Sequence, residues 1–92
     1  MVEKVEHNLE IKYCVSWGYF SQAAWIAAEF FVDFGKTMGF TLTPVGEGRL
    51  EVYLDGETIF DRKQENGAYP ALDRVRQMKK LARDKVAAVS LP

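Results

Sequence analysis

The chain has one cysteine and one histidine among its 92 residues. A single cysteine cannot close a disulfide within the chain, and zinc or iron–sulfur sites built from protein ligands need three or four suitable side chains. An internal disulfide and a protein-only metal centre of these kinds are therefore excluded. We expect no metal and no resident cofactor.

The sequence also lacks an excess of charge of either sign and a long apolar run at its start. Twelve Lys and Arg residues stand against thirteen Asp and Glu residues, which leaves a net charge of −1. This balance gives no global attraction to nucleic acid or to anionic membranes. The first eight residues alternate charged and apolar side chains, unlike the apolar core of a signal peptide. We therefore expect a cytoplasmic protein that binds neither nucleic acid nor membranes.

What the sequence does contain is typical of one globular domain. Hydrophobic residues make up 48% of the chain and charged residues 27%, far from the composition of disordered proteins. A length of 92 residues suits a single core. We predict an N-terminal tail at residues 1–7, in which His7 is flexible and inert, followed by one domain at residues 8–92.

The first half of the chain predicts a strand followed at once by a helix. Alternating apolar and charged residues indicate a strand from about Asn8 to Cys14. From Gly18 the apolar residues recur at helical spacing, with Ser16 or Ser21 as the expected N-cap and Gly39 as the expected C-cap. The apolar positions of this helix are Phe20, Ala23, Ala27, Phe30, Phe34 and Met38.

The next segment predicts three further strands. The strand at Thr41–Thr43 is expected to be short or to lie at an edge, because Pro44 cannot donate to a neighbouring strand. Alternation over Arg49–Leu54 and again over Thr58–Phe60 brackets Asp55-Gly56, which is typical of a tight hairpin turn.

A second helix follows from Ala71 to about Ser90, with Pro70 expected at its first position. The predicted order is β-α-β-β-β-α, an α+β domain with a mixed sheet of about four strands and two helices.

Cys14 lies at the junction of the first strand and the first helix. Backbone N–H groups and the positive end of a helix dipole at such a junction favour a thiolate. The alternative is a small buried hydrophobic residue at a strand end. Ser16 is placed to hydrogen-bond the sulfur or to cap the helix, and we expect capping.

Five short motifs occur in order along the chain: Tyr13-Cys14, Ala23-Ala24-Trp25, Leu54-Asp55-Gly56-Glu57, Phe60-Asp61-Arg62-Lys63, and Gly67 with Tyr69-Pro70. Together they resemble the selenoprotein W-like (Rdx) family of the thioredoxin-like superfamily. The resemblance implies a thioredoxin-like fold and a small thiol or selenol oxidoreductase, whose CxxC or Cys-x-x-selenocysteine motif lies between the first strand and the first helix.

The sequence departs from the family pattern at position 17. Cys14 matches the first position of the motif, but Trp17 occupies the position of the second cysteine or selenocysteine. A dithiol needs a second thiol to resolve the mixed disulfide that the first one forms. Three interpretations stay open: Cys14 acts as a monothiol with an external thiol such as glutathione, the redox activity is lost, or Trp17 substitutes for a reactive natural residue.

The resemblance also implies that Tyr69 and Pro70 lie against the redox loop and, with Ser16, shape a substrate pocket. Our first hypothesis is a redox protein linked to glutathione or protein thiols, with Cys14 as its nucleophile and Trp17 at the position of the second reactive residue. The alternative is a redox-inactive module that binds a protein partner through residues 14–19 and the flank of the first helix, where Trp25 and Val32 border the polar stripe.

Overall fold

The computed structural model describes residues 6–90, with side chains described as far as residue 86. This part of the chain confirms the predicted β-α-β-β-β-α order. Its elements are β1 (His7–Cys14), α1 (Phe20–Phe34), β2 (Met38–Val45), β3 (Leu50–Leu54), β4 (Glu57–Asp61), a short 3-10 helix (Arg62–Glu65) and α2 (Leu72–Ser90).

The four strands of the described chain form one mixed sheet in the order β2-β1-β3-β4. β1 runs parallel to β2 and antiparallel to β3, and β3 pairs antiparallel with β4. A parallel pair needs a crossover connection, which α1 supplies. β1 is thus a central strand, and its C-terminal residue Cys14 lies between the ends of two neighbouring strands.

The core lies between the sheet and the two helices. Alternate residues of the strands point toward the helices, so Leu9 and Ile11 are fully buried whereas Asn8 is exposed. The other buried apolar residues include Ala23, Ile26 and Phe30 of α1, Leu50, Val52 and Leu54 of β3, and Val75, Met78 and Ala82 of α2.

The β3–β4 hairpin confirms the prediction most closely. Asp55 and Gly56 both have positive φ, 51° and 85°, as a turn of this kind requires. Asp and Gly are the residues that adopt these values at low cost, which is why the Asp-Gly pair indicates the turn from sequence.

The predicted end of the first helix was wrong. α1 ends at Phe34 with Gly35 as its C-cap, whereas Met38 and Gly39 belong to β2 and pair with His7 and Asn8. Met38 is buried by the sheet, so its helical spacing was coincidental. β2 is an edge strand, as expected from Pro44, but it has eight residues and is not short.

The expected N-cap of α1 and the expected first residue of α2 were also wrong. The N-cap of α1 is Tyr19, and no side chain caps it, so neither Ser16 nor Ser21 has that role. At α2, the N–H of Val75 donates to the carbonyl of Ala71, which makes Leu72 the first helical residue. Pro70 is therefore not at the first helical position.

The expectation that His7 is a flexible tail residue was wrong as well. β1 begins at His7, whose side chain is buried with Nδ1 2.8 Å from Asp55 Oδ2. An ionised carboxylate only accepts hydrogen bonds, so Nδ1 is the protonated nitrogen of this pair. The partner lies 48 residues further along the chain, and no local pattern around His7 indicates it.

Neither helix is long and apolar enough, over its described residues, to cross a membrane. Within residues 6–90 there is also no cluster of three or more His, Cys, Asp or Glu side chains that could hold a metal ion.

Candidate functional site

Cys14 lies at the C-terminal end of the central strand and is completely buried. Its N–H donates to the carbonyl of Arg49, 2.8 Å away, and the N–H of Val15 donates to the carbonyl of Val45, 3.2 Å away. Hydrogen bonds to both neighbouring strands therefore continue up to the cysteine. They fix the position of its backbone.

Hydrogen-bond donors surround the sulfur of Cys14. Ser16 Oγ lies 3.4 Å from Sγ, and this hydrogen bond is the main cause that lowers the pKa of the thiol. Burial opposes it, and the backbone N–H groups of Gly48, Trp17 and Ser16 lower the pKa further. α1 begins only at Phe20, so these donors come from loops and not from the first turn of the helix.

A tight turn connects Cys14 to α1. The N–H of Gly18 donates to the carbonyl of Val15, and the N–H of Tyr19 donates to the carbonyl of Cys14. Gly18 has a φ of 74°, a conformation that glycine adopts without strain. Ser16, which was expected to cap the helix, lies within this hydrogen-bonded turn. Its hydroxyl lies beside the sulfur of Cys14.

Trp17 packs against the turn between β2 and β3. A Cβ atom placed on Gly48 would lie 2.9 Å from the indole ring, so the ring is in direct contact with the glycine backbone. Gly48 also has a φ of 67°. Although 58% of Trp17 is exposed, its ring lies on the residue whose N–H faces the Cys14 sulfur.

Arg62 connects this turn to the cysteine loop. Its guanidinium carbon lies 5.3 Å from the centroid of the Trp17 ring and 5.2 Å from that of Tyr19, and Nη1 donates to the carbonyl of Gly48 at 3.1 Å. Its Nε is buried and has no hydrogen-bond partner in the described part of the chain. The contacts of Arg62 hold residues 14–19 against the β2–β3 turn. We call Trp17, Gly48 and Arg62 the clamp.

Tyr69 joins the same region through Tyr19. The two rings meet edge to face, with centroids 5.1 Å apart. Burial raises the pKa of Tyr19, and the hydrogen bond with Tyr69 raises it further. Tyr69 is 54% exposed, whereas Pro70 is buried. The structure thus brings Cys14, Ser16, Trp17 and Tyr69 to one end of the sheet.

Sequence reasoning missed Gly48 and Arg62. Arg62 stands in a motif that carries the family resemblance, and Gly48 stands in a recognisable turn, but neither signal indicates contact with the cysteine loop. The contacts join three segments that are far apart in sequence, and only the sheet order brings them together.

Besides Val15, Trp17 and Tyr69 near Cys14, several large apolar side chains are exposed along α1. Phe20, Trp25, Phe31 and Val32 are 54%, 36%, 60% and 78% exposed. A cavity of about 480 Å³ lies at the C-terminal end of α1, where Phe31, Phe34 and Thr37 contribute to its lining. Cys14 lies before the opposite end of this helix, so the cavity is separate from the thiol.

Comparison with known proteins places this arrangement in a family. The Rdx family profile matches residues 8–84. A crystal structure from Bordetella parapertussis is similar with a TM-score of 0.75 and 26% identity, over 87% of this chain and 98% of that one. A selenoprotein W-related protein from Vibrio cholerae gives a TM-score of 0.71 and 29% identity, over 82% of this chain and 94% of that one. No curated protein matches the sequence.

These matches confirm the resemblance that the sequence motifs indicated. They also confirm the thioredoxin-like fold, with two helices and a four-stranded mixed sheet in the described residues. Membership suggests a redox-related function. The chain belongs to the Rdx family, of selenoprotein W-like proteins with a thioredoxin-like fold.

Proposed function

We infer that this protein is a monothiol redox protein in which Cys14 exchanges disulfides with glutathione or with protein thiols. The observation that carries this function is the environment of the sulfur, where Ser16 and three backbone N–H groups lower the pKa of Cys14. The thiolate is the reactive form of cysteine in disulfide exchange.

The reaction needs no second cysteine in the chain. The Cys14 thiolate attacks one sulfur of oxidised glutathione, the disulfide of glutathione breaks, and one glutathione thiolate leaves and takes up a proton. A mixed disulfide now joins Cys14 to the other glutathione. A second thiolate, from glutathione or another protein, attacks the glutathione sulfur of this bond and releases the Cys14 thiolate.

The clamp controls access to the sulfur in this function. Cys14 has no exposed surface, so a substrate disulfide reaches it only when residues 15–18 move. This movement separates the Trp17 ring from Gly48 and from the Arg62 guanidinium. Ser16 stabilises the thiolate, while Tyr69, in contact with Tyr19, and the adjacent Pro70 contribute to substrate binding.

Incubation with oxidised glutathione tests this function. Intact-mass spectrometry should show one added glutathionyl group on the native chain, and reduced glutathione should remove it. The Cys14→Ser variant controls for addition elsewhere. Prompt alkylation of Cys14 under conditions where no glutathionyl adduct forms would count against the proposal.

The Trp17→Cys variant tests the role of position 17. It restores the spacing of the family motif, so a second thiol would attack the mixed disulfide and release glutathione without external thiol. We expect the adduct of this variant to be transient, whereas that of the chain with Trp17 persists. An equally persistent adduct would mean that a thiol at position 17 does not attack the mixed disulfide and has no role in the redox reaction.

The complete burial of Cys14 favours one second candidate, a redox-inactive module that binds a protein partner through residues 14–19. Val15 and Trp17 are 59% and 58% exposed while the sulfur is covered. This function predicts that Cys14 titrates like an ordinary thiol and that Cys14→Ser leaves partner binding unchanged.

A further inference from the structure

The flank of α1 above strand β2 carries no charged residue. The charged residues of α1, Glu29 and Asp33, lie on the opposite flank, where both form ion pairs with Lys79 of α2 at 3.6 and 3.2 Å. Phe31 on this flank contacts Phe40 of β2, and Phe20, Ala24 and Ala27 share the flank with it, spaced i, i+4, i+7 and i+11. This spacing makes one straight stripe along a helix.

The stripe continues onto the edge of the sheet. The ring centroids of Phe31 and Phe40 are 6.0 Å apart, which joins the helix to the middle of β2. Phe20 and Phe31, at the two ends of the stripe, are 54% and 60% exposed. The helix flank and the edge strand therefore form one continuous uncharged surface.

β2 presents unpaired backbone groups on this surface. The carbonyls of Thr37 and Val45 accept hydrogen bonds from the N–H groups of His7 and Val15, on the side of β1. In a parallel strand, the backbone N–H and C=O groups of successive residues point to alternate sides of the strand. Those of Phe40 and Leu42 therefore point away from β1. Pro44 has the same parity, and its missing N–H falls on the outer side.

The two edges of the sheet differ in their protection. β4 has five residues, carries Glu57 and Asp61, and has a register shift against β3. Short length, charge and irregularity are the features that prevent pairing between edges. β2 has eight residues without charge and pairs in regular register, and only Pro44 interrupts its outer donors.

The charges that flank β2 select its partner. Lys36 lies two residues before the strand and Glu47 two residues after it; both are exposed, and neither forms an ion pair with any described residue. Antiparallel pairing of β2 with a second β2 brings Lys36 of each copy to the end that carries Glu47 of the other. Parallel pairing would bring like charges together.

We propose that the protein forms a symmetric dimer in which β2 pairs antiparallel with β2 of a second copy and the two stripes of α1 pack across the two-fold axis. Such a contact is self-complementary, as a two-fold interface requires. It joins the two sheets into one continuous sheet, and Ala24 and Ala27 leave room for the helices to approach at the centre of the contact. The Cys14 side chain of each copy is buried and contributes nothing to this contact.

Sedimentation equilibrium over a range of micromolar concentrations tests the dimer. The mass should rise from the 10.5 kDa of one chain to twice that value. Phe31→Asp should leave the chain monomeric, because it places a carboxylate of each copy within the apolar contact between the two stripes. Val32→Asp is the matched control, since Val32 points away from both β2 and α2, and it should still dimerise. A chain that stays at 10.5 kDa throughout overturns the proposal.

Charge exchange at the ends of β2 tests the antiparallel pairing. Lys36→Glu should weaken the dimer about tenfold, because it makes two symmetric contacts repulsive. The double variant Lys36→Glu with Glu47→Lys should restore the affinity. A dimer that is indifferent to both changes, or one whose Phe40 and Leu42 amides exchange with solvent at the same rate at every concentration, contradicts the proposed interface.

Discussion

The two ends of β1 are both tied to a turn of the sheet, but by different forces. At the N-terminal end, the buried His7 ring meets Asp55, which also accepts a hydrogen bond from the N–H of Asn8 at 2.8 Å. At the C-terminal end, the clamp consists mainly of ring and cation contacts between Trp17, Gly48 and Arg62, with one hydrogen bond from Arg62 Nη1 to the carbonyl of Gly48, while Arg62 Nε has no partner among the described residues.

The difference separates a structural end from a functional one. The His7 ring is buried, so breaking its hydrogen bond to Asp55 leaves a buried polar atom unsatisfied, which costs free energy. Ring and cation contacts at a half-exposed site cost less to separate. The end that holds the reactive thiol is therefore the end that opens with less free energy.

The largest expected effect comes from a change in the clamp. Gly48→Ala adds a Cβ that would meet the Trp17 ring at 2.9 Å, in a residue with a φ of 67°. We expect the free energy of unfolding to fall by about 2–3 kcal/mol and Cys14 to be alkylated faster, because the ring is displaced. Chemical denaturation and the rate of reaction with iodoacetamide measure the two effects.

Gly46→Ala is the matched control for that change. Nothing lies within 4 Å of a Cβ at Gly46, and the residue is in the same turn. It should change neither stability nor the alkylation rate by much. Equal effects of the two variants would mean that contact with Trp17 does not determine access to the thiol.

The second largest effect is expected at the opposite end of β1. Asp55→Ala removes the partner of the buried His7 ring and the acceptor for the N–H of Asn8. We expect a loss of about 1–2 kcal/mol in the free energy of unfolding, with little change in the alkylation rate of Cys14. Asp55→Asn keeps an acceptor and tolerates the φ of 51°, so it should lose less.

We expect a smaller effect of pH on the free energy of unfolding, through Asp55 at the N-terminal end of β1. Burial raises the pKa of Asp55, but the hydrogen bonds from His7 and from the N–H of Asn8 outweigh it and hold that pKa below its usual value. A carboxyl whose pKa is lowered by folding stabilises the fold above its unfolded pKa and loses this contribution as the pH falls through its folded pKa.

Stability measured between neutral pH and strongly acidic pH checks this expectation. Asp55 should account for less than about 1 kcal/mol of the difference in the free energy of unfolding between neutral and acidic pH. The reason is that 45% of its side chain is exposed and solvent screens the pair with His7. Asp55→Asn should remove that part of the acid sensitivity. An unchanged difference between neutral and acidic stability in Asp55→Asn would assign the sensitivity to other carboxyls, such as Glu51 beside Arg49.

The smallest expected change concerns reactivity alone. Ser16→Ala removes the main hydrogen bond to the Cys14 sulfur, so the pKa of Cys14 should rise and alkylation at neutral pH should slow severalfold. Ser21→Ala, within the first turn of α1, is the control. Stability should stay nearly constant, because Ser16 is exposed and caps no helix.

Local patterns predicted much of the fold. Alternation placed the strands, and Asp55-Gly56 placed the hairpin within one residue. The errors lay where tertiary contacts override local signals: Met38 and Gly39 continue a helical spacing but pair with β1, and Ser16 looks like a cap but lies beside a sulfur. The site was predicted as a set of residue types around Cys14. The clamp was not, because Gly48 and Arg62 reach the loop only through the sheet order.

The pH dependence of Cys14 alkylation, measured on the native chain and on the same chain unfolded in urea, tests the central claim most directly. In the native chain the rate should reach its midpoint at a lower pH than in urea, because Ser16 and the loop N–H groups stabilise the thiolate. The plateau rate should be lower in the native chain, because the clamp covers the sulfur. A native midpoint at or above that of the unfolded chain would contradict the assignment of Cys14 as a poised redox thiol.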